Sequence, residues 1–265
     1  WIFCVKKNRQ IECHFFITRP SRGGLLRKPA KIIKLFTSKK FYKIQISDLI
    51  KSVGVAISLK VLGSGFAFLL TLAVGRMLGA HGAGLYFLAI SITSIAGTIA
   101  RLGLENTVLR FVAYFHENND WGQIRGVLRY ALIWVGSVSL TFSITIIFFA
   151  EKIESFFLNV EGMTLVLIAV AFSIVFFNLM TLFSEALKGL GMSSKALLVG
   201  SVVYPLCALV VVYPLISMWG VIGSGIAYMT GTIFASMVGL IIWERALSGQ
   251  PSATQVNRNE LRASS

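Results

Sequence analysis

Acidic residues are scarce in this chain, with 11 Asp and Glu against 25 Lys and Arg in 265 residues, for a formal net charge of +14. Charge of either sign is scarce as well, at 14% of residues, where a soluble domain carries roughly 25%. Only three histidines and three cysteines occur. His14, His81 and His116 are dispersed, and Cys4, Cys13 and Cys207 are too few and too scattered for a metal centre or a disulfide framework. HExxH, GxSxG and a P-loop are missing, and no pair of carboxylates faces inward within the apolar blocks, so hydrolytic and nucleotide chemistry have no residues to run on. Glu105 and His116 form the one conceivable acid-base pair, yet both fall on a polar connector where a solvated role is expected. No cofactor, metal or catalytic residue is expected, and the chain reads as a non-enzyme. The long basic start also lacks the early apolar core of a cleavable signal peptide. It begins with Trp1 rather than Met, so the natural start is expected to lie elsewhere.

What is abundant is hydrocarbon. Apolar residues make up 55% of the chain, mean hydropathy is +0.76, and the apolar residues come in blocks. Six blocks, near 53–75, 84–100, 130–150, 163–184, 196–213 and 220–243, each approach the roughly 20 residues that carry a helix across about 30 Å of hydrocarbon. None alternates with period two, which disfavours a barrel. The expected fold class is therefore an all-α integral membrane protein, a bundle of six transmembrane helices. In the last block Gly223, Ala227, Gly231, Ala235 and Gly239 place a small residue at every fourth position, a seam that lets another backbone come close. Pro205 in the fifth block is expected to kink its helix and free a carbonyl.

The cations are localised. Thirteen of them, from Lys6 to Lys51, precede or open the first block, against Glu12 and Asp48 alone. Beside a span they read as a positive-inside signal and a contact with anionic lipid, rather than as a nucleic-acid surface, for which no motif is present. Three parts follow: a basic cytoplasmic segment 1–46, partly disordered or interfacial; the lobe 47–244; and a polar tail or linker 245–265. Within the first part, residues 31–46 suit a helix in the headgroup layer as well as they suit a disordered tail. Between blocks two and three runs RLGLENTVLRFVAYFHENNDWGQIRGVLRYAL, residues 101–132, whose many ions keep it in water or among headgroups. Its four arginines, and Lys188 with Lys195 after block four, oppose the acidic turn of Glu151, Glu154 and Glu161, placing both termini in the cytoplasm. Arg76, between blocks one and two, is the exception.

Candidate binding residues lie on helix faces. Lys60 shares a face with Ser64, Ala67, Thr71 and Gly75, a small and polar stripe with one ammonium. It suits either the lining of a cavity for an anionic ligand or a lysine that snorkels back to the headgroups. Ser91, Ser94 and Thr98 lead into Arg101 and Glu105, and Asn178, Thr181, Glu185 and Lys188 repeat at helical spacing. Such faces hydrogen-bond either sugar hydroxyls or neighbouring helices, the second at roughly 0.6 to 2 kcal/mol per bond. Glu185 and Lys188 are a local ion-pair candidate.

Several segments in order resemble a known family. They are LAVGRMLGAHGAGLYFLA (72–89), RLGLENTVLRFVAYF (101–115), RGVLRYAL (125–132), EALKGLGMSSKALL (185–198) and WGVIGSGIAY (219–228). Together they resemble the polysaccharide flippases, or O-antigen translocases, of the multidrug/oligosaccharidyl-lipid/polysaccharide exporter superfamily. The resemblance implies a multi-pass protein of the bacterial inner membrane with two six-helix lobes around a cavity that opens alternately to either side. It implies a lipid-linked oligosaccharide substrate, undecaprenyl-pyrophosphate-linked, flipped for O-antigen and lipopolysaccharide, capsule or exopolysaccharide assembly. Six blocks match the first lobe only, so a second lobe, in a missing C-terminal half or another chain, is an expected partner beside the bilayer. For a pyrophosphate headgroup, Lys60, Arg76 and Arg101 are the candidate cations, with Ser64, Thr71 and Asn178 beside them.

Other functions fit less of the chain. A drug or metabolite antiporter of the same superfamily would be expected to couple through an intramembrane carboxylate, and no Asp or Glu falls in the middle of a block. An inactive or scaffolding fragment needs only the small-residue seam. A membrane glycan polymerase or acyltransferase needs a large external loop or an acid-base pair, and neither is seen.

Overall fold

In the computed structural model of the chain, residues 2–7, 10–15, 39–157 and 162–248 are described, with side chains over 53–155 and 162–248. The chain divides into two compact units, 1–49 and 50–265. In the first unit β1 (Ile2–Lys7) pairs antiparallel with β2 (Gln10–Phe15), a hairpin that the reading of 1–46 as disordered or interfacial does not contain. The register sets Cys4 opposite Cys13, two residues that look scattered along the chain. Helix begins at Lys39; residues 31–38 and the tail from 249 lie outside the described residues.

Beyond the hairpin the elements among the described residues are helical: α1 (Lys39–Arg101), α2 (Leu104–Glu117), α3 (Trp121–Phe148), α4 (Ala150–Phe157), α5 (Met163–Gly189), α6 (Ser193–Leu197), a π-helical turn (Leu198–Val203) and α7 (Tyr204–Ser248). Four stretches are long and apolar enough to cross a membrane: Val53–Arg101, Trp121–Phe148, Met163–Gly189 and Ser193–Ser248. Two of them carry a non-helical glycine, Gly79 (φ 67°) and Gly220 (φ 54°), where two expected blocks meet. A positive φ is open to glycine at little cost, so helix resumes directly beyond each joint. For that reason the six expected blocks occupy four stretches. The block edges move as well: helix runs through Pro214 to the Gly220 joint, and α3 starts at Trp121, nine residues before its block.

The short connections have local causes. Leu102 (φ 45°) and Gly103 (φ 74°) break α1 from α2, and Asn119 (φ 58°), a residue type that tolerates the left-handed region, turns α2 into α3. The N-terminal cap of α5 is Gly162, which has no side chain to offer its orphan N–H groups. Glu154 of α4 supplies the acceptor: its Oε2 takes the Thr164 backbone N–H at 3.0 Å and also the Thr164 hydroxyl. These bonds, the hydroxyl's first, hold the Glu154 carboxyl below its ordinary value against the opposing effect of desolvation. A depressed folded value means that the contribution is present at neutral pH and is lost as pH falls through that value. Protection of the Thr164 amide against exchange, taken relative to the intrinsic rate at each pH, is therefore expected to fall on acidification below the normal carboxylate range. In Glu154→Gln it should vary much less over the same range; equal pH profiles would remove the cap. At the other side Arg125 Nη2 donates to the Leu247 carbonyl at 3.1 Å, closing the last turn of α7.

Lipid offers helices no hydrophobic gain for associating, so close backbone approach and interhelical hydrogen bonds must hold the bundle. The small-residue seam of α7 is buried along its length. A Cβ on Gly231 would stand 2.8 Å from the Tyr204 carbonyl and 3.0 Å from Ala208 Cβ, and one on Gly239 would stand 3.0 Å from Phe183 Cβ. Pro205 acts as its chemistry requires: lacking an N–H, it cannot donate to the Ser201 carbonyl four residues earlier, and the preceding turn is π-helical. The Ser201 carbonyl is the atom against which Gly63 of α1 packs, with no room for a Cβ.

Candidate functional site

Two apolar cores lie one beyond the other along the bundle. One gathers Leu70, Val74, Ile146, Val170, Ile174 and Val212; the other gathers Val112, Leu128, Val135, Leu182, Leu187 and Trp243. On α3 and α5 the buried residues between the two sets are polar: Ser139 and Ser143 on α3, and Asn178 on α5. Asn178 binds in three directions. Its Oδ1 accepts from Arg101 Nη1 at 2.7 Å, and its Nδ2 donates to Ser139 Oγ at 2.7 Å and to the Gly97 carbonyl at 3.2 Å. Gly97 is small because a Cβ there would sit 3.3 Å from Asn178 Oδ1. One amide thus joins α1, α3 and α5.

The Arg101 guanidinium is engaged on each nitrogen. Nε stands 2.9 Å from Glu105 Oε2, an ion pair that reaches across the Leu102–Gly103 break, although the angle there is too poor for a hydrogen bond. Nη2 reaches Thr98 Oγ1 at 3.4 Å, and the group lies 5.7 Å from the centre of the Phe177 ring. With its side chain 12% exposed, Arg101 has its charge answered by Glu105 and its plane covered by an aromatic face. Of the two roles open to the Asn178 face, the bonds observed at Asn178 are those of a helix fastener. Lower on that face Lys188 Nζ meets Glu185 Oε1 at 2.5 Å, partly exposed and worth a few tenths of a kcal/mol.

The other candidates sit differently. Lys60, Ser64 and Thr71 are exposed on one side of α1, the least buried of the four spans, and Thr71 Oγ1 donates back to the Ala67 carbonyl at 2.9 Å. Their neighbours Gly63, Leu70 and Val74 are buried, so the polar stripe runs beside the packed edge of the helix. Arg76 is also exposed, but the unbroken helix carries it about 24 Å from Lys60 along the axis and nearly to the opposite side. The structure therefore brings Arg101 and Asn178 together, aligns Lys60 with Ser64 and Thr71, and leaves Arg76 alone. Ser91 and Thr98 donate to carbonyls of their own helix, at Phe87 and Ser94.

Three tyrosines inside the lobe escaped the sequence reading. Tyr204 and Tyr228 meet edge to face at 5.4 Å, and Tyr86 belongs to the same core; Tyr86 and Tyr228 are buried. No hydroxyl of the three makes a hydrogen bond among the described residues. The signal was available, since Tyr86 lies within one of the quoted motifs, Tyr228 closes another and Tyr204 precedes Pro205. Without their packing, though, three separated rings carry no message. Among the described residues no cluster of His, Cys, Asp or Glu could hold a metal ion.

The helices have known counterparts. The chain superposes on a multidrug resistance MATE family transporter of the MOP superfamily in its inward-facing conformation, with TM-score 0.66, 20% identity and coverage of 77% of this chain and 48% of that one. The outward-facing conformation of such a transporter gives TM-score 0.68, 19% identity and coverage of 77% and 47%. A MOP superfamily transporter from Pyrococcus furiosus gives 0.64 and 17%, with coverage of 77% and 47%. The chain thus spans about half the length of the solved transporters it matches. No curated protein matches it. A family model described as Polysaccharide biosynthesis protein matches residues 49–263, nearly the whole helical unit, and the chain belongs to that family, on the membrane fold it shares with MOP-superfamily transporters.

Proposed function

We propose that this chain forms the first lobe of a transporter that moves a lipid-linked oligosaccharide across the inner membrane of a bacterium for cell-surface polysaccharide. The observation that carries the reading is the family match over 49–263, and the physics of α1 supports it. Lys60, Ser64 and Thr71 stand on an open side of the lobe, where a second lobe would complete a cavity. An ammonium flanked by hydroxyls suits a phosphate with sugar beyond it. Arg76, about 24 Å away along the helix, serves the far end of the path rather than the same phosphate. Arg101 and Asn178 form the wall behind, holding three helices in one body for alternating access. Both termini lie in the cytoplasm in this reading.

Lys60→Ala with Arg76→Ala, in the gene that carries this lobe, is expected to lower surface glycan while membrane insertion stays unchanged. A lost charge-assisted contact of about 1.5–3 kcal/mol weakens binding by roughly tenfold to a hundredfold. Glycan at the wild-type level in the inserted double variant would remove these two residues from the site. The structural likeness to multidrug transporters favours a second reading, export of a drug or metabolite. That reading predicts altered drug susceptibility, with surface glycan intact, when the gene is deleted.

A further inference from the structure

We propose that the groove between α2 and α3 binds one hydrocarbon chain of an anionic phospholipid from the leaflet it borders, with the lipid phosphate held by Arg129 and Arg110. The groove encloses about 740 Å³, and its walls are carbon: Val108, Phe111 and Phe115 on α2, and Gly126, Val127 and Tyr130 on α3. It exists because α2 is apolar on two sides. Val108 and Val112 are buried, and Val112 packs on Gly189 at the end of α5, while Phe111 remains half exposed beside Tyr130. Leaving such a surface to water costs about 25 cal/mol per Å², so something apolar covers it.

Two observations choose the cover. Thr107, Gln123 and the Tyr130 hydroxyl are the polar side-chain groups in the lining, too few to satisfy the N–H and C=O groups of a peptide, whereas an acyl chain asks for none. The flanking charge then selects the headgroup. Arg101 is taken by Glu105 and Arg125 by the Leu247 carbonyl. Arg110 and Arg129 are exposed and make no ion pair or hydrogen bond among the described residues. Arg129 stands one helical turn from Gly126 and Arg110 one turn from Thr107, so two free cations flank an apolar trough at the membrane boundary. That pattern complements a lipid with a negative headgroup. The proposal is independent of what the transporter carries.

Gly126 provides the test, because a Cβ there meets nothing within 4 Å and a large side chain fills the groove without displacing protein. The full chain, equilibrated with equal phosphatidylglycerol and phosphatidylcholine, is examined by native mass spectrometry. The wild type is expected to retain phosphatidylglycerol at least fivefold over phosphatidylcholine. Gly126→Trp should lose the retained lipid, and Arg110→Gln with Arg129→Gln should keep a lipid but lose the preference. Gly126→Leu repeats the block with a smaller side chain, and circular dichroism confirms helix in each variant. Wild-type retention in folded Gly126→Trp or Gly126→Leu, or an unchanged preference in the double variant, would overturn the site. Recovery of a polyisoprenyl phosphate in place of phospholipid would overturn the choice of occupant.

Discussion

Gly63→Ala is expected to destabilise the lobe by about 1–3 kcal/mol or more, although it adds a single methyl group to a helix. The new Cβ would overlap the Ser201 carbonyl oxygen, and it would lie 2.8 Å from the Ser201 carbonyl carbon and 3.0 Å from its Cβ. Backbone cannot swing aside as a flexible side chain does, so either α1 or the π-helical turn must move. Gly65, two residues on, meets nothing within 4 Å. There the same change should be neutral or should stabilise by up to about 0.5–1 kcal/mol, the helix propensity that alanine gains over glycine. The two variants, compared by unfolding of the purified protein in detergent, separate packing from propensity. Equal stability of Gly63→Ala and Gly65→Ala would show that α1 does not rest on the turn before Pro205.

Asn178→Ala should cost about 2–4 kcal/mol, from three interhelical bonds of roughly 0.6 to 1.7 kcal/mol each and the guanidinium and carbonyl left without them. Ser139→Ala removes one of the three bonds and should cost about 1 kcal/mol. A double-mutant cycle between the two positions should therefore show coupling, read from the same unfolding measurement. Additive losses would mean that the amide and the hydroxyl act separately. An Asn178→Ala protein as stable as the wild type would mean that the polar layer holds nothing together.

Chain length and hydropathy were enough to place the apolar stretches, because a helix that crosses lipid must satisfy its own backbone and so declares itself as a long uninterrupted run. The seam from Gly223 to Gly239 was legible for a related reason, since only small residues admit a second backbone and the repeat states that directly. Pro205 announced a disturbed turn through its missing N–H. The joints at Gly79 and Gly220 were harder to see, as helix continues on both sides of each with no polar loop between. Distances between helices were not legible at all. Nothing local to Asn178 tells that Arg101, 77 residues earlier, donates to it. Nor does the sequence show that the helix of Lys60 runs on unbroken through Arg76, which sets the two far apart. Glu154 was read as a count of charge on a turn, whereas its work depends on Gly162 leaving a helix end bare.

The three bonds of Asn178 have a consequence for how the lobe comes apart. A helix held to its neighbours by separate contacts can be peeled away singly, each step exposing a little more surface. Here the second half of α1, α3 and α5 share one knot, and withdrawing any of them strands the groups that the others present. Disassembly is thereby made all-or-none at this level of the bundle, and extraction of these segments by force should register as one large step rather than three small ones.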